Sequence, residues 1–306
     1  MFLLRIARPL GSFSPVPLRL SKPSVWTRTK MTGPHFYSGS GDNLTQDAFL
    51  EGLRPSSKRL LLVGENHMDP EAHALELDIL KWVHSECGKG GRKLALSLEF
   101  YDRQAQPVMN EYLGDFLSEE TFLSDANAPG NASDYQPLIN YCKEFQLPVI
   151  AANCPRRYTS MVSKYGRNKL SELVQACPSS SAFLPPIPYE GASEKYKANF
   201  IEIMRSIGNN NARVPTSMLD AQSLWDATMA HSLAQGLDFC DVIIHVTGFF
   251  HIKQGLGILE HLNKYLSHPV ESVSVVIMPE EDPSQFKPGD HEQMGDFVVL
   301  TDLNQI

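Results

Sequence analysis

The sequence predicts an α/β fold, with a largely parallel central sheet, helices on both faces and a helical annex. Three observations predict it: short apolar runs closed by glycine or a polar residue recur along the chain, stretches with helical apolar spacing lie between them, and no repeat with a period of about 20–50 residues replaces that alternation. RLLLVG (59–64) is the first run and reads as a strand buried on both faces. PEAHALELDILKWVHSEC follows; Pro70 suits a first helical turn, and Ala72, Leu75, Ile79, Trp82 and Val83 keep helical spacing up to GKGG (88–91). KLALSLEF (93–100) is the second strand, followed by a helical stretch from Gln104 to Leu117, a polar loop over 124–134 and a helix over 135–146. LPVIAAN (147–153) is the third strand. Residues 156–212 read as helices broken by SSS (179–181) and PPIP (185–188), the annex. A long helix over 216–236 carries Met218, Leu224, Trp225, Met229 and Leu233 on its apolar face. DVIIHVTG (241–248) is the fourth strand, GLGILEHLNKYL (255–266) a helix, and ESVSVVIM (271–278) and GDFVVL (295–300) are late strands.

Charge divides the chain into a leader, 1–41, and an α/β domain, 42–306. Residues 1–41 hold Arg5, Arg8, Arg19, Lys22, Arg28 and Lys30 and no acid, while the remainder carries 21 basic against 35 acidic groups, a net of −14. An acid-free stretch bearing Arg, Ser and Pro has the composition of a mitochondrial targeting segment, disordered on its own. A start at Met31 would instead give a cytoplasmic form without the leader. The acidic body argues against a nucleic-acid partner, which needs clustered Lys and Arg. No window approaches about 18 uninterrupted apolar residues, so no integral membrane span is expected. Five cysteines without a CxxC pair suit reduced thiols and offer no cysteine-based zinc site.

Ligands of open α/β sheets bind beyond the carboxyl ends of the strands. Two of the predicted ends share one pattern, a strand followed by Gly, two residues and His: Gly64 with His67, and Gly248 with His251. Glycine permits positive φ or a close backbone approach, and the histidine then turns over the sheet edge. His67, His251 and Glu99 would make an open site for a divalent transition metal, with Glu65 or Asp226 to orient or deprotonate water. His67 alone also suits a loop or helix-capping role, and Glu99 an N-cap or an ion pair with Arg103. His73 and His84 read as helix-surface residues, and His245 as core. The sequence contains no HExxH, no GxSxG elbow and no phosphate-binding loop.

GENH, LEF, LPVIAANCPRR, AQSLWDATMA and HVTGFFHIKQGLGI, in that order over residues 45–280, resemble the ChaN-like haem-binding domain of the Tiki/TraB superfamily. The resemblance implies an α/β core with a helical annex and two competing activities. ChaN-like proteins bind haem in iron uptake, with a tyrosine on the iron and haem held between two subunits, which here implies a homodimer. Tiki-like members are metal-dependent proteases using two GxxH motifs and a glutamate, retained here as Gly64/His67, Gly248/His251 and Glu99. Tyr101, Tyr135 and Tyr158 flank the predicted rim and are the candidates for the haem tyrosine, since phenolate ligation of ferric haem is sound chemistry. Arg156 and Arg157 could meet propionates or form a solvated pair. Phe249 and Phe250 could stack on a macrocycle or pack in the core.

The readings that follow are a haem- or metal-binding protein of iron handling, a metal-dependent hydrolase of a small-molecule or peptide substrate, and an interaction protein on an enzyme-like fold. The leader, without a lipoprotein signal, argues against haem capture at a bacterial surface.

Overall fold

A computed structural model describes residues 33–55, 59–207 and 215–306. In chain order these form β1 (His35–Ser38), β2 (Asn43–Leu44), α1 (Gln46–Gly52), β3 (Leu60–Glu65), α2 (Pro70–Lys89), β4 (Leu94–Asp102), α3 (Gln106–Leu113), α4 (Glu119–Asp125), α5 (Ala132–Glu144) and β5 (Val149–Asn153). The second half comprises α6 (Arg156–Tyr165), α7 (Asn168–Ala176), α8 (Glu194–Ile207), α9 (Thr216–Gly236), β6 (Val242–Gly248), α10 (Ile258–Tyr265), β7 (Ser272–Glu280), α11 (Pro288–His291) and β8 (Phe297–Asp302).

The strands form one eight-stranded sheet in the order β2-β1-β8-β7-β3-β6-β4-β5. The ladders from β8 through to β5 are parallel, and β1 pairs antiparallel with β8 and β2. β3, all six residues buried, is flanked by β6 and β7, so its apolar run is covered on both faces. Leu61 and Val63 face a core shared with α2 and α5, while Leu60 and Leu62 face the opposite core, shared with α9 and α10. That alternation is the period of a strand projecting side chains to two faces.

α2 begins as its sequence implies: Pro70 is in the first turn, and the Asp69 carboxylate accepts from the backbone N–H of Glu71 and Ala72. α9 crosses the sheet on the other face, and Arg59 donates to the Leu237 and Cys240 carbonyls beyond its end. α6 and α7 pack with α9 through Tyr158, Val162, Leu170 and Leu224, and α8 packs through Tyr196 and Phe200 against Leu219. Arg103 joins the annex to the sheet side, donating to the Leu184 carbonyl, the Thr228 carbonyl and the Ser232 hydroxyl. It is therefore unavailable as an ion-pair partner for Glu99. No helix among the described residues is long and apolar enough to cross a membrane.

Three boundaries differ from the sequence expectation. The leader was expected to reach residue 41, but His35–Ser38 is a strand of the sheet, with Phe36 against Phe49 and Tyr37 against Phe286 on opposite faces. Four residues between a turn and a basic stretch leave too short an alternation to recognise without the β8 edge they complete. The rest of the expected leader, 1–32, lies outside the described residues. The polar stretch 124–134 is shorter as a loop than expected, because α4 runs to Asp125 and α5 starts at Ala132. The helix after β4 stops at Leu113 rather than 117, where Gly114 caps it.

Neither Gly64 nor Gly248 is among the glycines with positive φ, so positive φ is not their reason. Close approach is: a Cβ on Gly64 would sit 2.7 Å from the Phe249 Cα, and one on Gly248 would sit 2.9 Å from His67 Cε1. Each GxxH glycine makes room for the other GxxH turn. Gly64→Ala is expected to lower the unfolding free energy by about 1–3 kcal/mol through overpacking against backbone. Gly88→Ala in α2, where an added Cβ meets nothing within 4 Å, is expected to be neutral or to stabilise by about 0.5–1 kcal/mol. Urea unfolding of the two variants compares them; a Gly64→Ala protein as stable as its parent would show that the turns can part without cost.

Candidate functional site

Parallel pairing brings the carboxyl ends of β3, β6 and β4 side by side, and the candidate residues gather there as two linked clusters. The first is built on Glu65, the last residue of β3. Its carboxylate is buried, and its Oε1 lies 2.9 Å from His67 Nδ1 and accepts from the Tyr135 hydroxyl at 2.6 Å. His73 Nε2, from the first turns of α2, stands 2.8 Å from Glu65 Oε2. Burial opposes ionisation of Glu65, but the bonds to His67 and Tyr135 and the adjacent His73 ring outweigh it and hold the carboxyl down at about 2. The same bond raises His67, against the effect of its own burial. Below them, fully buried Glu76 is pushed well above the usual carboxyl range, first by burial and then by the Glu65 charge, so it carries a proton.

The second cluster centres on His251. Its Nδ1 lies 2.5 Å from Asp226 Oδ1 on α9, and its Nε2 lies 3.3 Å from Glu99 Oε1 on β4. Burial works against a charged ring, yet the two carboxylates raise His251 well above its ordinary value. The Gln222 amide nitrogen also reaches the ring, 3.4 Å from Nδ1 and 3.3 Å from Nε2, so both nitrogens are engaged. Glu99 Oε2 accepts from the Thr247 hydroxyl at 2.5 Å and from the Gly248 N–H at 2.8 Å. These contacts and the His251 charge overcome burial and hold the Glu99 carboxyl far below its ordinary range. The alternatives of an N-cap or an Arg103 pair for Glu99 are therefore not what forms.

Gly248 is the junction. The His67 ring lies across it, and a Cβ there would stand 3.1 Å from His67 Nε2 and 3.7 Å from His251 Cδ2. Phe100 stacks on Tyr135 with ring centroids 3.6 Å apart and meets His67 edge-on at 5.5 Å. His67 is half exposed, while His251 and Asp226 are buried. The clusters are thus a locked inner one and an outer one open at His67.

The structure brings His67, His251, Glu99, Glu65 and Asp226 together. Among the described residues, no three His, Cys, Asp or Glu side chains are arranged to hold a metal ion. The donors are already engaged: His251 Nδ1 is bonded to Asp226, its Nε2 lies between Glu99 and the Gln222 amide, and Glu99 Oε2 accepts two bonds. Tyr101 packs on Phe122 in the core, its hydroxyl buried and pushed up to about 12 by burial. Tyr135 is part of the Glu65 cluster, and Tyr158 lies in the annex core, its hydroxyl accepting from Arg157. Arg156 is exposed at the start of α6, and Phe250 packs against Tyr196 and Phe200 beneath α8. His245 is buried in β6 beside the Ser97 hydroxyl, 3.0 Å away.

Sequence reasoning missed His73 and Glu76. His73 was expected on the helix surface, but it turns inward to Glu65. The available signal was Glu76 itself, a charged residue within the apolar stripe of Leu75, Ile79 and Leu80. Two cavities, of about 340 and 440 Å³, lie elsewhere, one lined by Arg59, Tyr265 and His268 and the other by Arg103, Val149 and Phe239. Neither is lined by the clustered residues, and neither collects comparable donor chemistry.

A family described as haem-binding uptake, Tiki superfamily, ChaN matches residues 54–262. The solved structure of cofacial heme binding to ChaN of Campylobacter jejuni has the same fold, with a TM-score of 0.67 at 13% identity, covering 88% of this chain and 96% of that one. The Arabidopsis thaliana protein RETICULATA-RELATED 5, chloroplastic, is 24% identical over 255 residues, which is 78% of this chain. The chain spans about a third of that relative, 34% of its length.

Folding lowers Glu65 from its ordinary 4.5 to about 2, so the stability it lends is full above pH 4.5 and fades as pH falls towards 2. Glu65→Gln is expected to lower stability at neutral pH and to flatten the acid limb within that window. Urea midpoints at stepped pH check this; an acid limb unchanged from the parent's would remove Glu65 as its source.

Proposed function

The chain belongs to the ChaN family of haem-binding uptake proteins in the Tiki superfamily, and from that premise we propose that it binds haem in iron handling, at the rim formed by the carboxyl ends of β3, β4 and β6. The observation that carries the reading is the exposure pattern there. Met68 is 67% exposed and His67 half exposed above a floor of buried polar groups. A macrocycle needs a broad apolar contact with a donor inside it, and an exposed thioether beside an imidazole, with Phe100 at the ring's edge, is that combination.

The residues present fit the group on its donor chemistry. Haem, when bound, would supply an iron that takes a protein donor and propionates that take a cation. Met68 and Phe100 would cover the face of the ring. Arg156, exposed where α6 leaves β5, would meet a propionate. The buried carboxylates below keep the floor polar, which confines the ring to the rim.

Hydrolysis is the second reading, and one observation favours it: His251 is clasped between Asp226 and Glu99, a positioned imidazolium of the kind used to move a proton or steady developing negative charge. Glu65, through His67, would be its counterpart on the outer side. The basic residues 1–41 and the chloroplastic naming of the Arabidopsis relative support an organellar setting for either activity.

Haemin titration of the full chain, followed by absorbance, tests the reading. A saturable, stoichiometric Soret band is expected, with weaker binding in Met68→Glu. A linear rise indistinguishable from haemin in buffer would sink it. Turnover of ester or amide substrates that vanishes in His251→Ala, with no haem band, would establish hydrolysis instead.

A further inference from the structure

We propose that His67, through Nε2, and not a tyrosine, is the side chain that ligates haem iron in this protein, with Glu65 as its positioning residue. The proposal rests on the haem-binding reading and names the donor within it.

An axial ligand must touch the face of a macrocycle. The three tyrosines at the strand ends do not meet that requirement: Tyr101 is 1% exposed, Tyr135 0% and Tyr158 4%. The chemistry points the same way. Tyr135 donates its proton to an ionised carboxylate, a bond that disfavours the phenolate needed for ligation. Tyr158 is bonded to Arg157 inside the annex. Tyr165 is exposed, but it ends α6, nine residues from Arg156 and therefore about 13 Å along the helix axis. Other rim donors are also closed. His251 is buried with both nitrogens engaged, and the Cys154 thiol is buried and held protonated, pushed up to about 12 by its burial.

His67 and the Met68 thioether remain open; of the two, only His67 has a carboxylate behind it to fix its donor atom. Glu65 holds Nδ1 at 2.9 Å, which selects the tautomer with its lone pair on Nε2. That nitrogen has no hydrogen-bond partner among the described residues. A carboxylate behind a ligating histidine fixes ring orientation and raises the basicity of the nitrogen that faces the metal. Glu65 is itself fixed by His73 and Tyr135. Gly248 adds the space: any side chain there would collide with the imidazole and push it off the rim.

The test uses the full chain loaded with haemin and reads the spectrum of the iron, not turnover. The ferrous form of the parent is expected to show an iron–histidine stretching band by resonance Raman. That band should disappear in His67→Ala and return as an iron–imidazole band when free imidazole is added, in a variant whose circular dichroism matches the parent's. Tyr158→Phe and Tyr165→Phe should leave it unchanged. Glu65→Gln should keep the band, shift it to lower frequency and weaken haemin affinity about 10–100-fold. A phenolate-to-iron charge-transfer band that survives in His67→Ala and is lost in a tyrosine variant would overturn the assignment while leaving haem binding intact. Failure of the parent to bind haemin at all would overturn both.

Discussion

A carboxylate buried at the end of the central strand governs this molecule's rim. An ionised Glu65 below the surface would be costly alone, and it is held by side chains from three different places: the loop after β3 through His67, α2 through His73, and α5 through Tyr135. One negative charge therefore sets the approach of two helices and a loop at once. Glu76 stays protonated beneath it, because a second charge at that depth has no comparable set of donors. The same helix is tied at its start to the far side of the sheet, where Thr301 donates to Asp69.

Glu99 repeats the device on the neighbouring side with a different result. Its oxygens are taken by Thr247, the Gly248 backbone and His251, and Asp226 closes the other side of the imidazolium. The two GxxH turns look alike in sequence but differ in role. One histidine has a single carboxylate and open space; the other has two carboxylates and none. The rim therefore presents one open imidazole beside a closed one. The buried pair below supplies charge and rigidity.

Much of the site was legible in the residues, and what was not has identifiable causes. His67, Glu65, Glu99, His251 and Asp226 do converge, because strand ends of a parallel sheet share one edge. The candidate tyrosines are close in sequence to that edge, and closeness does not report direction: Tyr101 alternates into the core beside Phe122, and Tyr158 turns into the annex. His73 looked peripheral because polar residues on helices are usually solvated. Only the placement of α2 over the end of β3 turns that ring towards Glu65.

The sequence by itself determined the order and kind of the main elements, since apolar periods of two and of about 3.6 residues are local properties. It also determined that two glycine-histidine turns would follow two strands. Tertiary structure alone decided that β3 and β6 are neighbours, that each glycine clears space for the other's turn, and that His35–Ser38 closes onto β8. It alone decided which donors stay open. Exposure of a ring is set by helices and strands far away in the chain, and the charge state of a carboxylate by how many donors reach it after burial, so neither could be read from the residues one stretch at a time.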